Sequence, residues 1–320
     1  MKSRVAAFEP ALAALPGSQA LTTRLLKAFS QLNEKQLSEL QAAWGSLDDD
    51  RRAYLVAKLR AMAEVDIRLD YTAIFRFALT DIDERVRRTA IEGLAEDEST
   101  SLIDLLAVLL RSDSSPKVQA AAAQSLGRYM HLSVMDKLSA RRHEQVYSAL
   151  MGALLSSPEA SPVRRAALRS LAYVSNEEVD LHIRDAYASN VMPLCISAIY
   201  AMGRSNNRKY RQAVMNELHS AVPAMRREAA RACGELEISE AVPELAQLVD
   251  DADTQVCRVA LAALGQIAGD DARLILERAA RSSDPHIARS AEDALAEHEF
   301  LYGDLKFSLG PFDEIMGTDE

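Results

Sequence analysis

Arginine is the residue type whose placement first suggests chemistry in this chain. Arg87, Arg164 and Arg226 each precede a second arginine, Arg88, Arg165 and Arg227, and Arg258 and Arg289 stand at the same place as that second one relative to the apolar pattern around them. A row of guanidinium forks can hold phosphates or an acidic peptide. The competing arrangement pairs each arginine with an aspartate of its own or the next turn, such as Asp81, Asp83, Asp251, Asp253 or Asp284. The spacing favours that structural pairing, which on a protein surface contributes little binding chemistry.

The other reactive residue types are sparse. His143–Glu144 and His298–Glu299 are two His-Glu dipeptides, while His131, His182, His219 and His286 have no Glu beside them. Such pairs could contribute to a centre of two histidines and one carboxylate, but they fall at different places in the local pattern. Of the cysteines, Cys195 and Cys257 hold equivalent positions two structural units apart, too far for a disulfide at about 10 Å per helix layer, and Cys233 stands where leucine is usual. The chain contains no C-x-x-C, H-E-x-x-H, G-x-S-x-G or phosphate-loop motif. No catalytic residue, metal ligand or cofactor is therefore assigned.

The elements that must position these side chains repeat. Taking the apolar residue that opens each short helical pattern as an anchor gives Val86, Val118, Val163, Leu194, Met225, Val256 and Ile287, at intervals of 32, 45 and then four times 31 residues. Four positions after each anchor stands alanine (Ala90, Ala122, Ala167, Ala198, Ala229, Ala260, Ala291), and eight positions after stands Leu94, Leu126, Leu171, Met202, Cys233, Leu264 or Leu295. Offsets of four and eight share one helix face. The ninth position is small (Ala95, Gly127, Ala172, Gly203, Gly234, Gly265, Ala296), which predicts a helix end and the close approach of a neighbour. Polar openings at Asp81–Arg85, at Asp113–Lys117 with Pro116, at Ser161–Pro162 and at Ser282–Pro285 read as N-caps and first-turn prolines. A second amphipathic segment follows each unit, for example SLIDLLAVLLR from Ser101 and AVPELAQLVDD from Ala241.

The pattern D-x-x-V-R-x-x-A-x-x-A-L-G, as in TQVCRVALAALG, resembles the short HEAT-like repeats and the related repeats of phycobilin lyases, from about Tyr71 to Glu299. The resemblance implies an all-α fold, a right-handed α-solenoid of about seven helix-turn-helix repeats whose second helices line one, usually concave, face. Deoxyhypusine hydroxylase, an iron enzyme of this repeat class, uses four His-Glu pairs at matching positions, and this chain has two.

Residues 1–69 read as an N-terminal helical cap, 70–299 as the array and 300–320 as a C-terminal tail. Within the cap, LTTRLLKAF, EKQLSELQAAWGSL and DRRAYLVAKLRAMAEV read as three helices, capped by Asn33 and by Asp48–Asp50, with Trp44 in the core. The 45-residue interval places an insertion at residues 131–144, an extra helical turn or a long loop. The tail either wraps back as a cap or is an exposed peptide anchored by Phe307, Leu309, Phe312, Ile315 and Met316, with disorder expected beyond Gly310.

A net charge of −10 argues against nucleic acid and anionic membranes as partners, three cysteines argue for a reducing, cytoplasmic setting, and no apolar run reaches the roughly 20 residues of a membrane span. The expected function is a non-enzymatic scaffold that binds another protein on its concave face. The second-helix faces of the central repeats would carry the site, with Arg164, Arg165, Tyr200, Arg204, Arg226, Arg227 and Arg231 as contacts. The alternatives are an accessory subunit like the phycobilin lyases, or a nucleic-acid binder like the HEAT-like DNA glycosylases.

Overall fold

The computed structural model describes residues 2–17 and 19–302, with the backbone alone for residues 2–7. Among these residues all regular structure is helical. Four helices precede the array: α1 (Lys2–Ala13), α2 (Thr23–Lys27), α3 (Glu34–Trp44) and α4 (Asp49–Val65). Then come α5 (Thr72–Ala78), α6 (Glu84–Gly93), α7 (Thr100–Ser112), α8 (Pro116–Val134), α9 (Ala140–Ser156), α10 (Pro162–Leu171), α11 (Glu177–Tyr187) and α12 (Met192–Arg204). The remainder are α13 (Arg211–Asn216), α14 (Pro223–Glu235), α15 (Val242–Leu248), α16 (Thr254–Gly265), α17 (Asp270–Ala279) and α18 (Pro285–Tyr302). The chain divides into two compact units between Ala201 and Met202.

Before the array, local signals set the helix starts. Asn33 forms a reciprocal capping box with Gln36, and Asp48 accepts the Arg51 amide, so orphan donors at these starts are not left to water alone. Trp44 is buried, packs edge-on against Phe77 at 5.2 Å, and donates its indole N–H to Asp81 at 2.6 Å. It is core, as its apolar neighbours predict. Lys2–Ala13 is itself a helix with Pro10 inside it.

In the array, every anchor opens an even-numbered helix from α6 to α18, and an odd-numbered helix follows each one from α7 to α17. Pro116, Pro162, Pro223 and Pro285 begin their helices, where a missing N–H takes nothing from the ladder. All seven alanines at the fourth position are fully buried. Ile287 and Leu295 of α18 are only half-buried, unlike their counterparts in earlier repeats.

The small ninth position works by space alone. A Cβ added to Gly234 would sit 2.8 Å from the Ala263 Cα, one on Gly203 2.8 Å from the Ala232 Cα, and one on Gly265 2.7 Å from the Ala294 carbonyl oxygen. Gly127 meets Ser170 in the same way, and none of the four has a positive φ. In each pair the glycine of one anchor helix faces the small residue seven positions after the next anchor, so like helices touch backbone to backbone. Of the seven ninth-position residues, Ala172 is the C-cap of α10, Ala95 follows the C-cap of α6 and Gly265 ends α16, whereas α8 runs on to Val134, α12 to Arg204, α14 to Glu235 and α18 to Tyr302.

The insertion at 131–144 is not a loop. It lengthens α8 to 19 residues and α9 to 17, joined by a short turn with Asp136 at φ 57°. Phe300–Tyr302 complete α18, where the Tyr302 hydroxyl donates to the Gln266 carbonyl at 2.8 Å. The expectations for the tail from residue 303 onward lie outside the described residues. No helix among the described residues is long and apolar enough to cross a membrane.

Candidate partner-binding groove

The arginines divide by position. Those directly after the anchor face the turn that opens their own repeat. Arg87 donates to the Asp81 and Ile82 carbonyls at 2.7 and 2.9 Å, and Arg226 to the Ser220 carbonyl at 2.8 Å. Where the residue is not arginine the bond persists: Gln119 to the Asp113 carbonyl at 2.9 Å, the Cys195 thiol to Ser189 at 2.9 Å, and the Cys257 thiol to Asp251 at 3.0 Å. The first residue of that turn is Asp or Ser because its side chain also accepts the amide two residues on, as Asp113 does from Ser115 and Asp251 from Asp253, both at 2.8 Å.

Two of these arginines reach further, into the turn of the next repeat. Arg87 forks onto Asp113 at 2.7 and 2.8 Å, and Arg226 onto Asp251 at 2.7 Å through both nitrogens. Both pairs are largely buried. The Arg226 hydrogen bond holds the Asp251 carboxyl below its ordinary range. At Asp113 burial pushes the other way, but the bonds from Arg87 and the Ser115 amide outweigh it and the carboxyl again titrates low. Arg52 of α4 repeats the motif, with Asp81 at 2.9 Å and the Leu47 carbonyl at 2.6 Å. Arg164 does not. It reaches only the Ser157 carbonyl, at 3.3 Å, and the next turn opens with Ser189 instead of Asp.

Arginines two positions after the anchor point elsewhere. Positions two and six after the anchor are one helical turn apart and share a face. In the first unit that face of α6, α8, α10 and α12 lines a groove of about 740 Å³. Five cations line it, Arg88, Lys117, Arg128, Arg165 and Arg169, against one carboxylate, Glu92. Three of the five are paired: Arg88 with Glu92 at 3.7 Å, Lys117 with Glu84 at 3.1 Å, and Arg128 with Glu96 and Glu98 at 3.3 and 3.0 Å. Arg165 and Arg169, both on α10, have no carboxylate partner among the described residues.

Arg169 sits over the Tyr200 ring, its guanidinium carbon 3.6 Å from the centroid. Stacking contributes about 0.5–2 kcal/mol and fixes the plane while leaving the in-plane N–H groups free to donate. The His131 ring, 5.0 Å from that of Tyr173, lines the same groove. The groove is thus a pair of unneutralised guanidinia on an aromatic floor.

The second unit has a comparable cleft of about 690 Å³ beside Arg258 and Arg289, but Asp250, Asp251, Asp284 and Asp293 line it too. Its charge does not favour an anion. Arg204 and Arg231 are drawn into a cluster on α12 and α14: Arg231 binds Glu228 at 2.9 Å and Glu235 at 2.5 Å, and Arg204 binds Glu235 at 3.3 Å. Arg227 forms no ion pair among the described residues.

The seven residues expected from sequence to form one contact surface therefore separate. Arg165 and Tyr200 line the groove; Arg164 and Arg226 serve turns; Arg204 and Arg231 are neutralised; Arg227 stands apart in the second unit. All seven lie on anchor helices, the first helix of each repeat and not the second, because the alanine-rich anchor helices pack side by side and turn their +2/+6 face outward. Arg88, Lys117, Arg128, Arg169 and Tyr173 line the groove without having been among the expected contacts. The +6 position marks Arg169 and Tyr200 alike and could have found the first of these.

The remaining reactive residues form no centre. His143 shares a 2.7 Å hydrogen bond with Ser133, and His298 is buried beside Tyr302. Among the described residues no three His, Cys, Asp or Glu side chains converge as metal ligands. All three cysteines are buried and form no disulfide, and burial pushes the Cys233 thiol up to about 12.

Comparison with known proteins agrees with this architecture. No curated protein matches the sequence. Similar solved structures include human deoxyhypusine hydroxylase in complex with glycerol (15% identity, 93% of this chain and 98% of that one, TM-score 0.36). Others are the CpcE–CpcF complex of phycocyanin lyase from a Nostoc species (16%, 71% and 94%, 0.47) and the E. coli protein YibA (14%, 88% and 99%, 0.47). The model of HEAT repeats matches residues 73–172 and 211–296, more than half of the sequence. The chain belongs to the HEAT-repeat family.

Proposed function

We propose that this chain is a non-enzymatic scaffold that binds a partner protein, and that an acidic segment of the partner seats in the groove across α8, α10 and α12. The observation that supports this reading is the composition of α10. Its ten residues hold Arg164, Arg165 and Arg169 and no acidic residue, and they make no ion pair among the described residues, in a chain of net charge −10. In α6 the same face carries Arg88 and Glu92 as a salt bridge. Replacing the acid at +6 by Arg169 exchanges an attraction for a repulsion, each of about 0.2–0.5 kcal/mol, which the fold does not need. A partner carboxylate would turn that small cost into charge-assisted hydrogen bonds of about 1.5–3 kcal/mol each.

The test is affinity purification from native lysate at moderate salt, with the full chain and its Arg165→Gln/Arg169→Gln variant as parallel baits. A stoichiometric protein retained by the first and lost from the second is expected. The same proteins on both baits, or only pigment, metal or nucleic acid in the eluate, would refute the reading.

A further inference from the structure

We infer that the group recognised in this groove is a phosphate monoester, carried as phosphoserine or phosphothreonine on the partner protein. The inference rests on the groove being the partner site and names what it reads.

The charge is focal. Arg165 and Arg169 are one helical turn apart on α10, with Cβ atoms about 5–6 Å from each other, and neither has a carboxylate partner among the described residues. On the α6 and α8 side of them the cations of the groove are already taken: Lys117 by Glu84, Arg88 by Glu92, Arg128 by Glu96 and Glu98. An extended polyanion, a nucleic-acid backbone or an anionic lipid surface, would meet those carboxylates as soon as it ran from α10 toward α8 and α6. A single compact dianion would not.

The geometry matches the number of acceptors. One carboxylate carries a single charge and satisfies one guanidinium fork. A phosphate monoester carries a charge of about −1.5 to −2 at neutral pH and three acceptor oxygens, enough for two guanidinia one helical turn apart. Arg169 is already held over the Tyr200 ring at 3.6 Å, so less side-chain freedom remains to be lost on binding. Tyr173 and the His131 ring line the same groove and offer aromatic surface to the residues beside the phosphate.

The experiment uses the full chain on peptide arrays with a fixed central phosphoserine, on identical arrays with serine or glutamate there, and on a 20-nucleotide single-stranded DNA. The expected result is at least ten-fold stronger retention by the phosphoserine arrays than by the glutamate arrays. That preference should be lost in Arg165→Gln/Arg169→Gln and kept in Arg227→Gln, whose arginine lies in the second unit. In parallel, phosphatase treatment of the lysate should release the groove-dependent partner. Equal retention by phosphoserine and glutamate, no retention by either, stronger binding to DNA, or a partner indifferent to phosphatase each overturns the inference. If the partner is still lost from the groove variant in that last case, the scaffold reading stands without the phosphate.

Discussion

Two glycine-to-alanine substitutions should have opposite signs. Gly234→Ala places a methyl 2.8 Å from the Ala263 Cα, closer than real Cβ atoms stand, and 3.1 Å from its Cβ. Helix α14 gains about 1 kcal/mol from alanine's higher propensity. It loses about 1–3 kcal/mol to overpacking, at the high end because the obstacle is backbone of α16 and no rotamer change relieves it. The net is a destabilisation of about 1–2 kcal/mol. Gly152→Ala, on an exposed face of α9, meets nothing within 4 Å and keeps only the propensity gain, a stabilisation of about 0.5–1 kcal/mol. Urea titration followed by far-UV circular dichroism measures both, with amide exchange to assign each change to its unit, since two compact units need not unfold together. Were Gly234→Ala to stabilise as Gly152→Ala does, the backbone contact between like helices would be wrong and with it the account of the ninth position.

Asp251→Asn strands the largely buried Arg226 and should destabilise the second unit by about 2–4 kcal/mol, with part recovered in the double variant Arg226→Gln/Asp251→Asn, as denaturant titration will report. Because Asp251 titrates low when folded, its contribution is present above the unfolded pKa near 4 and is lost as the pH falls through the folded value; acid unfolding of Asp251→Asn should be correspondingly shallower. Ser189→Asp supplies the carboxylate that the next turn gives to Arg87 and Arg226 and should stabilise the first unit by about 1 kcal/mol; no change in the urea midpoint would separate Arg164 from that motif. Cys195, Cys233 and Cys257 should resist thiol reagents in the native protein and react together on unfolding, since all three are buried and burial raises the Cys233 and Cys257 thiols.

The architecture was legible because its signals are local and periodic. The anchors, the alanine four residues on and the capping residues each act within one helix turn, so spacing alone reports them. The job of each arginine was not legible, because it depends on whether the next repeat opens with Asp or Ser some 25 residues later and on what stands at +6. Arg87 and Arg226 have aspartates waiting, whereas Arg164 has Ser189. The seven expected contacts were assigned to second helices although they lie on first helices, for a related reason. Alanine-rich helices look like filler, yet their small inner faces are what let them stack closely and leave the opposite face bare.

Net charge misleads in the same way. A total of −10 argued against nucleic acid and anionic membranes, but screening at physiological salt confines each charge to about 8 Å, less than the roughly 10 Å of one helix layer, so it does not speak against a compact anion. What an approaching ligand meets is therefore the charge of one or two helices, not the sum. The repeat makes such local departures cheap. The position after the anchor is committed to the turn, whether by Arg87, Gln119 or Cys257, and substitutions there disturb a buried hydrogen bond. Positions +2 and +6 bury little, so α6 can carry a neutral Arg88–Glu92 pair while α10 carries two bare arginines on the same scaffold. The hydrogen bond to the turn and the surface charge are written at different offsets of one pattern, and the departure of α10 from its neighbours at +6 is the feature on which the proposed site rests.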